Sequence, residues 1–336
     1  MNRIKSILLS LFLLLPLSTW AEEATIDIPE VVMEHLSDAY EWHLWSYAGQ
    51  AYSIPLPVIV RSERSGEWIC QMGAEELPDG FFLNAEAHGK IYERLSDGTT
   101  VRPLDISLTK TACQIWIVVL LMLAVFLCTA RWYKSRDEKS EAPSGFVGMI
   151  EMLTMTIHDD LIRSNIGEHA YKPFAKYLLT VFFFIFFTNL VGLIPFSGNV
   201  TGNINITFLL ALCTMFAVNG FANRHYWQEV FLPRPFYLWP LLVITEVIGV
   251  FTKPFALMVR LFANMMAGHA ILLSFTCIIL LGATMGLGMA WGLGLFSGVM
   301  LLFMYCIEVL VAFIQAYVFT LLSAVFIGLA HREHEE

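Results

Sequence analysis

"KPFALMVRLFANMMAGHA", residues 253–270, sets one arginine, one asparagine and one histidine in a frame as apolar as a membrane span. The frame reaches far in both directions. From Phe236 to Ala330 the only formal charges are Glu246, Lys253, Arg260 and Glu308. A charged side chain held at the bilayer centre costs ~2.5 to 3.5 kcal/mol on insertion scales, so Arg260 needs a reason to be there. The apolar runs on either side are also too long for ordinary spans. About 45 residues from Phe236 to Gly282, and about 40 from Trp291 to Arg332, exceed the ~20 that a perpendicular helix requires. Each is expected to tilt steeply or lie partly flat, and the two to pair as an antiparallel hairpin.

Composition agrees with a membrane protein. The chain is 57% hydrophobic and 15% charged, with a mean hydropathy of +0.64. Its net charge of -9 lies in the polar parts and offers no basic surface for nucleic acid. At the start, Arg3 and Lys5 precede the apolar run Ile7–Leu17, and Thr19-Trp20-Ala21 supplies small residues at a cleavage site. That run is short for a span, so residues 1–21 read as a signal peptide. Residues 22–108 carry mixed charges, prolines and short apolar stretches such as "YSIPLPVIV" (52–60) and "GKIYERLSDGTT" (89–100), and read as a small extracytoplasmic region. Cys70 is its only cysteine, the other five falling in or beside spans, so no disulfide framework is indicated.

Flanking charges set the expected topology. The first span, Cys113–Trp132, is followed by Arg131, Lys134, Arg136 and Lys139, which mark the cytoplasmic side. Between Gly145 and Ala170 the apolar residues Phe146, Ile150, Leu153, Ile157 and Leu161 recur at helical spacing, interrupted by Glu151, His158, Asp159 and Arg163. This predicts an amphipathic helix on the cytoplasmic interface. Phe174–Phe196 returns outward, "SGNVTGN" (197–203) reads as an external loop, and Ile204–Ala222 goes back toward Arg224, His225 and Arg234. The expected architecture is all-α and polytopic: five transmembrane helices, one interfacial helix and the long tilted hairpin. By residue number, 109–144 holds the first span and a cytoplasmic linker, 145–332 the main membrane domain and 333–336 the tail. The mature chain would begin outside and end in the cytoplasm.

"KPFALMVRLFANMMAGHA", with "EVLVAFIQAYVF" (308–319) downstream, resembles subunit a of the F-type ATP synthase, the stator half of a rotary proton channel. The likeness extends over 145–330 through "NLVGLIPF" (189–196), "TGNINITFLLAL" (201–212), Glu246 fourteen residues before the arginine, and Gln315 seven after Glu308. The resemblance implies that Arg260 faces a ring of c subunits whose membrane carboxylates exchange protons. It also implies peripheral-stalk b subunits and the remaining synthase subunits as partners, a bacterial inner-membrane location, and no catalytic centre or cofactor in this chain. A guanidinium stays protonated at physiological pH, so Arg260 cannot relay the proton. It can stabilise a passing carboxylate and block a direct leak between two half-channels. The structural alternative is an ion pair with Glu246 or Glu308.

Helix geometry relates the other polar residues. His269 lies nine residues after Arg260, ~13.5 Å along an ideal helix, and Glu308 seven before Gln315, ~10.5 Å. Antiparallel packing that sets Gln315 beside Arg260 therefore brings Glu308 near His269. Nine residues also turn through ~900°, pointing His269 away from the face of Arg260. Arg260 would then serve the rotor while His269 and Glu308 serve a water-filled inlet, where both can titrate near neutrality. Alternatively, His269 is satisfied by a neighbouring carbonyl. Asn264, one turn beyond Arg260, could bond water or the rotor carboxylate, or act as helix-helix glue. Glu246, four turns before Arg260, fits the outlet or is an interfacial carboxylate in water. This sequence has His at the first and Glu at the second of two positions that some bacterial relatives fill in reverse, and Gly192 stands where some carry an acidic residue.

Other features carry no chemistry. Gly282, Gly286, Gly288, Gly292, Gly294 and Gly298 form GxxxG pairs that permit close helix approach or a turn, and "HREHEE" (331–336) is a solvated charged terminus. There is no P-loop, no HExxH and no Ser/His/Asp arrangement. A sodium-translocating version of the same subunit stays open. A secondary cation antiporter would show inverted repeats that these halves lack, and an intramembrane hydrolase would need a nucleophile or metal site.

Overall fold

The computed structural model describes residues 38–47, 50–74, 77–78, 80–84, 89–95, 98–134, 143–168, 170–194, 197–232, 239–284 and 287–331. The expected signal peptide and the tail 333–336 lie outside them. The membrane part is all-α as expected, and the described residues between 38 and 105, for which no secondary structure was expected, form a β unit. Strands β1 (Glu41–Tyr47) and β2 (Gln50–Pro55) make an antiparallel pair. A three-stranded sheet has β3 (Pro57–Arg61) between β4 (Trp68–Met72) and β8 (Leu104–Asp105). The other has β6 (Lys90–Arg94) between β5 (Phe81–Asn84) and β7 (Thr100–Val101). Burial alternates along β3 and β6, with Val58, Val60 and Ile91 turned inward to meet Tyr40 and Ala74. That two-residue period is what a half-buried strand presents. In stretches this short, it is hard to tell from a helical run.

The membrane part begins with α1 (Lys110–Lys134), three residues before the expected start and two beyond the expected end. Helix α2 (Phe146–Met155) runs on through a π-helical stretch, Thr156–Arg163, and a closing turn, Ser164–Ile166. Its apolar face is as expected for Ile150, Ile157 and Leu161, which are buried, but Phe146 is exposed. Then follow α3 (Tyr171–Gly192), α4 (Ile204–Gly220) and α5 (Arg224–Phe231). The two long helices are α6 (Trp239–Thr284), 46 residues, and α7 (Leu287–His331), 45 residues.

Four helices, α1, α3, α6 and α7, are long and apolar enough to cross a membrane; α4, at 17 residues, is a shorter apolar helix. The five-span count thus rests on α4. At the rise of an ideal helix α6 and α7 would each run ~68 Å, more than twice the ~30 Å hydrocarbon core, so steep tilt follows from length alone. They pack along one another, with α3 against α7 and α4 against α6. Helix α3 is the centre: 56% of its apolar window is buried, against 11% for α1 and α6. Phe182, Phe183, Leu178 and Ile185 on α3 join Leu257, Leu261 and Met265 of α6 and Phe319 and Ile327 of α7 in one core. Near the end of α7, a Cβ at Gly328 would run into the backbone carbonyl of Asn165, so glycine there permits the closing turn to seat on α7. Of the glycine pairs in 282–298, Gly292, Gly294 and Gly298 have open space where a Cβ would stand, with no close helix approach at them among the described residues.

Candidate functional site

Helix α6 sorts its polar residues onto two faces. Arg260 and Asn264 are exposed, and so are Ala256, Ala263 and Ala267, which lie four before, three after and seven after the arginine. This exposed stripe is therefore small side chains around one cation. His269 is on the other side, with only 8% exposure, as the nine-residue spacing requires. Among the described residues Arg260 forms no ion pair; the pairs present are Lys90 with Asp38, His158 with Asp159 and Arg163 with Glu168. The structural alternative for Arg260, a pair with Glu246 or Glu308, is absent.

Glu308 of α7 is 3% exposed, and its carboxylate lies against Gly268, occupying the place a Cβ there would take. The hairpin thus brings Glu308 to the residue beside His269. Glycine at 268 is needed because only a residue without a side chain leaves this space. Oε1 of Glu308 and Nδ1 of His269 are both buried without a hydrogen-bonding partner among the described residues, so the neighbouring-carbonyl alternative does not hold for Nδ1 among them. Two titratable groups kept in that state at the same depth suit a path along which a proton is handed on. Gln315, two turns along α7, is also buried.

A predicted outcome follows for Gly268→Ala. The obstructing atoms belong to the far end of a flexible side chain, so the chain should still fold and assemble. The carboxylate, however, must move, and ATP-driven pumping in membrane vesicles is expected to drop about tenfold or more, since ~1 Å of misplacement can cost that much. Normal pumping by this variant would show that the position of Glu308 is not critical.

At the other end of α6, Glu246 is exposed, 23 residues or ~34 Å from His269 along the helix. It is near Tyr226 of α5, whose hydroxyl is raised above its usual range by burial and then by the Glu246 charge. That hydroxyl donates to Oδ1 of Asn219 at 3.3 Å. Thr214, Asn219, Tyr226 and Lys253 line one indentation beside Pro254. Polar groups therefore gather on either side of Arg260 along α6.

Several polar residues at the His269 end escape a reading of the sequence alone. The segment 197–203 is folded into the bundle, with Ser197, Val200 and Thr201 buried. Asn199 donates to the carbonyl of Met265 at 3.1 Å, one turn before His269. Thr201 donates to Asn189 at 2.8 Å, and Asn189 to the carbonyl of Ala312 at 3.4 Å. Lys110 and Gln114 of α1 are buried there too. A Cβ at Gly192 would meet only the Gly198 carbonyl oxygen, at 3.9 Å, so close packing of the backbone is not what excludes a side chain at that position.

An exposed, unpaired arginine in an apolar stripe, buried carboxylate and imidazole behind it, and polar groups on either side of it define a polytopic ion-conducting membrane subunit. The chain matches the family model described as ATP synthase A chain over residues 113–328, and it belongs to that family. Residues 31–106 match a second model, a domain of unknown function (DUF8433). ATP synthase subunit a of Chloroherpeton thalassium (strain ATCC 35110 / GB-78) is 42% identical over 238 residues, 68% of this chain and 69% of the relative. That of Anaeromyxobacter sp. (strain Fw109-5) is 35% identical over 322 residues, 91% of this chain and 72% of the relative. ATP synthase subunit a 2 of Chlorobaculum tepidum (strain ATCC 49652 / DSM 12025 / NBRC 103806 / TLS) is 35% identical over 323 residues, 94% and 84%. The antiporter and hydrolase readings fall with this membership.

Proposed function

We propose that this chain is the proton-conducting, non-catalytic stator subunit of a bacterial ATP synthase, working against a ring of c subunits and held by peripheral-stalk b subunits. The observation that carries the reading is the stripe of Ala256, Arg260, Ala263, Asn264 and Ala267, exposed and unpaired on α6. Alanines let a partner helix come close, and small residues are what membrane helices present where backbones approach. A carboxylate arriving on that helix would meet Arg260 directly, with Asn264 one turn away to bond it.

Protons reach the ring from outside past Glu308 and His269 and leave toward the cytoplasm near Glu246 and the Tyr226–Asn219 pair. Gln315 stands on α7 about level with Arg260, seven residues beyond Glu308. Arg260 separates the two paths because a fixed cation opposes a proton crossing between them. With α4, ~25 Å long, as the fifth crossing, the amino-terminal unit lies outside and the carboxyl end in the cytoplasm. The positive residues Arg131 and Lys134 at the end of α1 support that orientation.

The ion is tested in liposomes carrying the whole synthase. ATP is expected to acidify the lumen at a rate that added sodium does not change and a protonophore abolishes. ATP-driven sodium uptake that persists with a protonophore would instead establish the sodium-translocating version.

A further inference from the structure

Helix α1 packs on the bundle along one side only, and the side chains it fully buries are Lys110, Thr111, Gln114 and Val118. Three of these, Lys110, Gln114 and Val118, are four residues apart and form one stripe facing the protein. Two of the three are polar. Gln114 is 0% exposed, and neither its Oε1 nor its Nε2 has a hydrogen-bonding partner among the described residues. An amide left that way costs ~1 to 3 kcal/mol, which a leucine of similar size would not incur. Packing alone gives no reason for glutamine here.

Its surroundings do. A Cβ at Gly198 would stand 2.7 Å from Oε1 of Gln114 and 3.4 Å from Cγ and Cε of Lys110, so this backbone touches both side chains. The next residue, Asn199, bonds the Met265 carbonyl one turn from His269. The β unit fixes the helix that carries it. Asp38 accepts from the Thr111 amide at 3.2 Å and from its hydroxyl at 2.7 Å, and the Lys110 amide donates to the Ala39 carbonyl at 3.0 Å.

We propose that Lys110 and Gln114 line the outer end of the proton path to His269 and Glu308, with Asp38 of the amino-terminal β unit positioning the helix that carries them. This rests on the inlet reading of His269 and Glu308. The domain of unknown function then serves to hold the first span in register with the inlet. A path for protons needs groups that can donate and accept in turn, and a carboxamide without partners among the described residues offers both.

The test uses inverted vesicles with the complete synthase, measured for ATP-driven pumping, and the same vesicles stripped of the catalytic head, measured for passive proton conduction. Gln114→Leu is expected to lower both about tenfold, the effect of one lost hydrogen-bonding step of ~1.4 kcal/mol, at unchanged amounts of assembled complex. Gln114→Asn, which keeps the amide, should retain most of the conduction, and Lys110→Met should lower it. Wild-type conduction by Gln114→Leu, or equal losses in the leucine and asparagine variants, overturns the proposal. If Gln114→Leu does not assemble, wild-type conduction by Lys110→Met overturns it instead. Glu308→Gln in the same assay separates the two levels. Normal conduction there removes the inlet reading itself, whereas a block there with normal Gln114→Leu removes only the outer extension.

Discussion

Arg260→Ala is expected to abolish ATP synthesis and ATP-driven proton pumping while the complex still assembles. The side chain is exposed, unpaired among the described residues and surrounded by alanines, so truncation removes no contact that holds this chain together. What it removes is the one cation among Ala256, Ala263, Asn264 and Ala267. A carboxylate ~4 Å from a guanidinium gains ~4 kcal/mol at an effective dielectric of 20, nearly three orders of magnitude in the equilibrium between its charged and neutral forms. On the proposed function, a rotor carboxylate without that attraction holds its proton, and the ring has no reason to release it on one side only. On the same reading, the barrier between the polar groups on either side of Arg260 also goes. Vesicles stripped of the catalytic head should therefore leak protons through Arg260→Ala, even though pumping is lost. Arg260→Lys is expected to fail as a synthase too, because an ammonium lacks the planar fork and can give up its proton. Normal ATP synthesis by the lysine variant would remove this role from Arg260.

The features that can be read from the sequence are those that lipid makes costly. Arg260, His269 and Glu308 stand out because little else in their frame is polar, and the 3.6-residue period then assigns their faces. The structure places Arg260 and Asn264 on the exposed side and His269 with Glu308 on the buried side, as that period requires. Lys110 and Gln114 give no such signal, since polar residues at the start of a span read as ordinary headgroup contacts. Their meaning comes from Gly198, Asn199 and Asp38, which are distant in sequence. The loop 197–203 reads as external because it is polar, yet its polarity is spent on the Met265 carbonyl and on Asn189. Gly268 belongs to the arginine motif, but the motif does not say that Glu308 fills the space beside it. The β unit is hidden for a different reason: strands of two to seven residues carry too few alternations to fix a period.

The double variant His269→Glu with Glu308→His is expected to pump better than His269→Glu alone. Each group is buried, each leaves one polar atom without a partner among the described residues, and the glutamate rests against the residue next to the histidine. If they were two separate packing residues, breaking both environments would be at least as harmful as breaking one. If they form one relay, the inlet needs a carboxylate and an imidazole within reach of the same water-linked route, and either order can serve. The single change His269→Glu puts two carboxylates together, which cannot both ionise at close range without penalty, and so upsets proton transfer at its first step. Restoring one imidazole at 308 relieves that repulsion. The steric demand also falls at a place that can bear it: an imidazole at 308 must turn away from Gly268, and α7 is exposed at Val309 and Leu310 beside it. The coupling between neighbours of this kind is ~0.5 to 3 kcal/mol, up to about a hundredfold in rate. Pumping rates for both singles and the double, normalised to assembled complex, close the cycle. A double variant no better than the worse single would leave His269 as a packing residue and Glu308 as the sole group of the inlet.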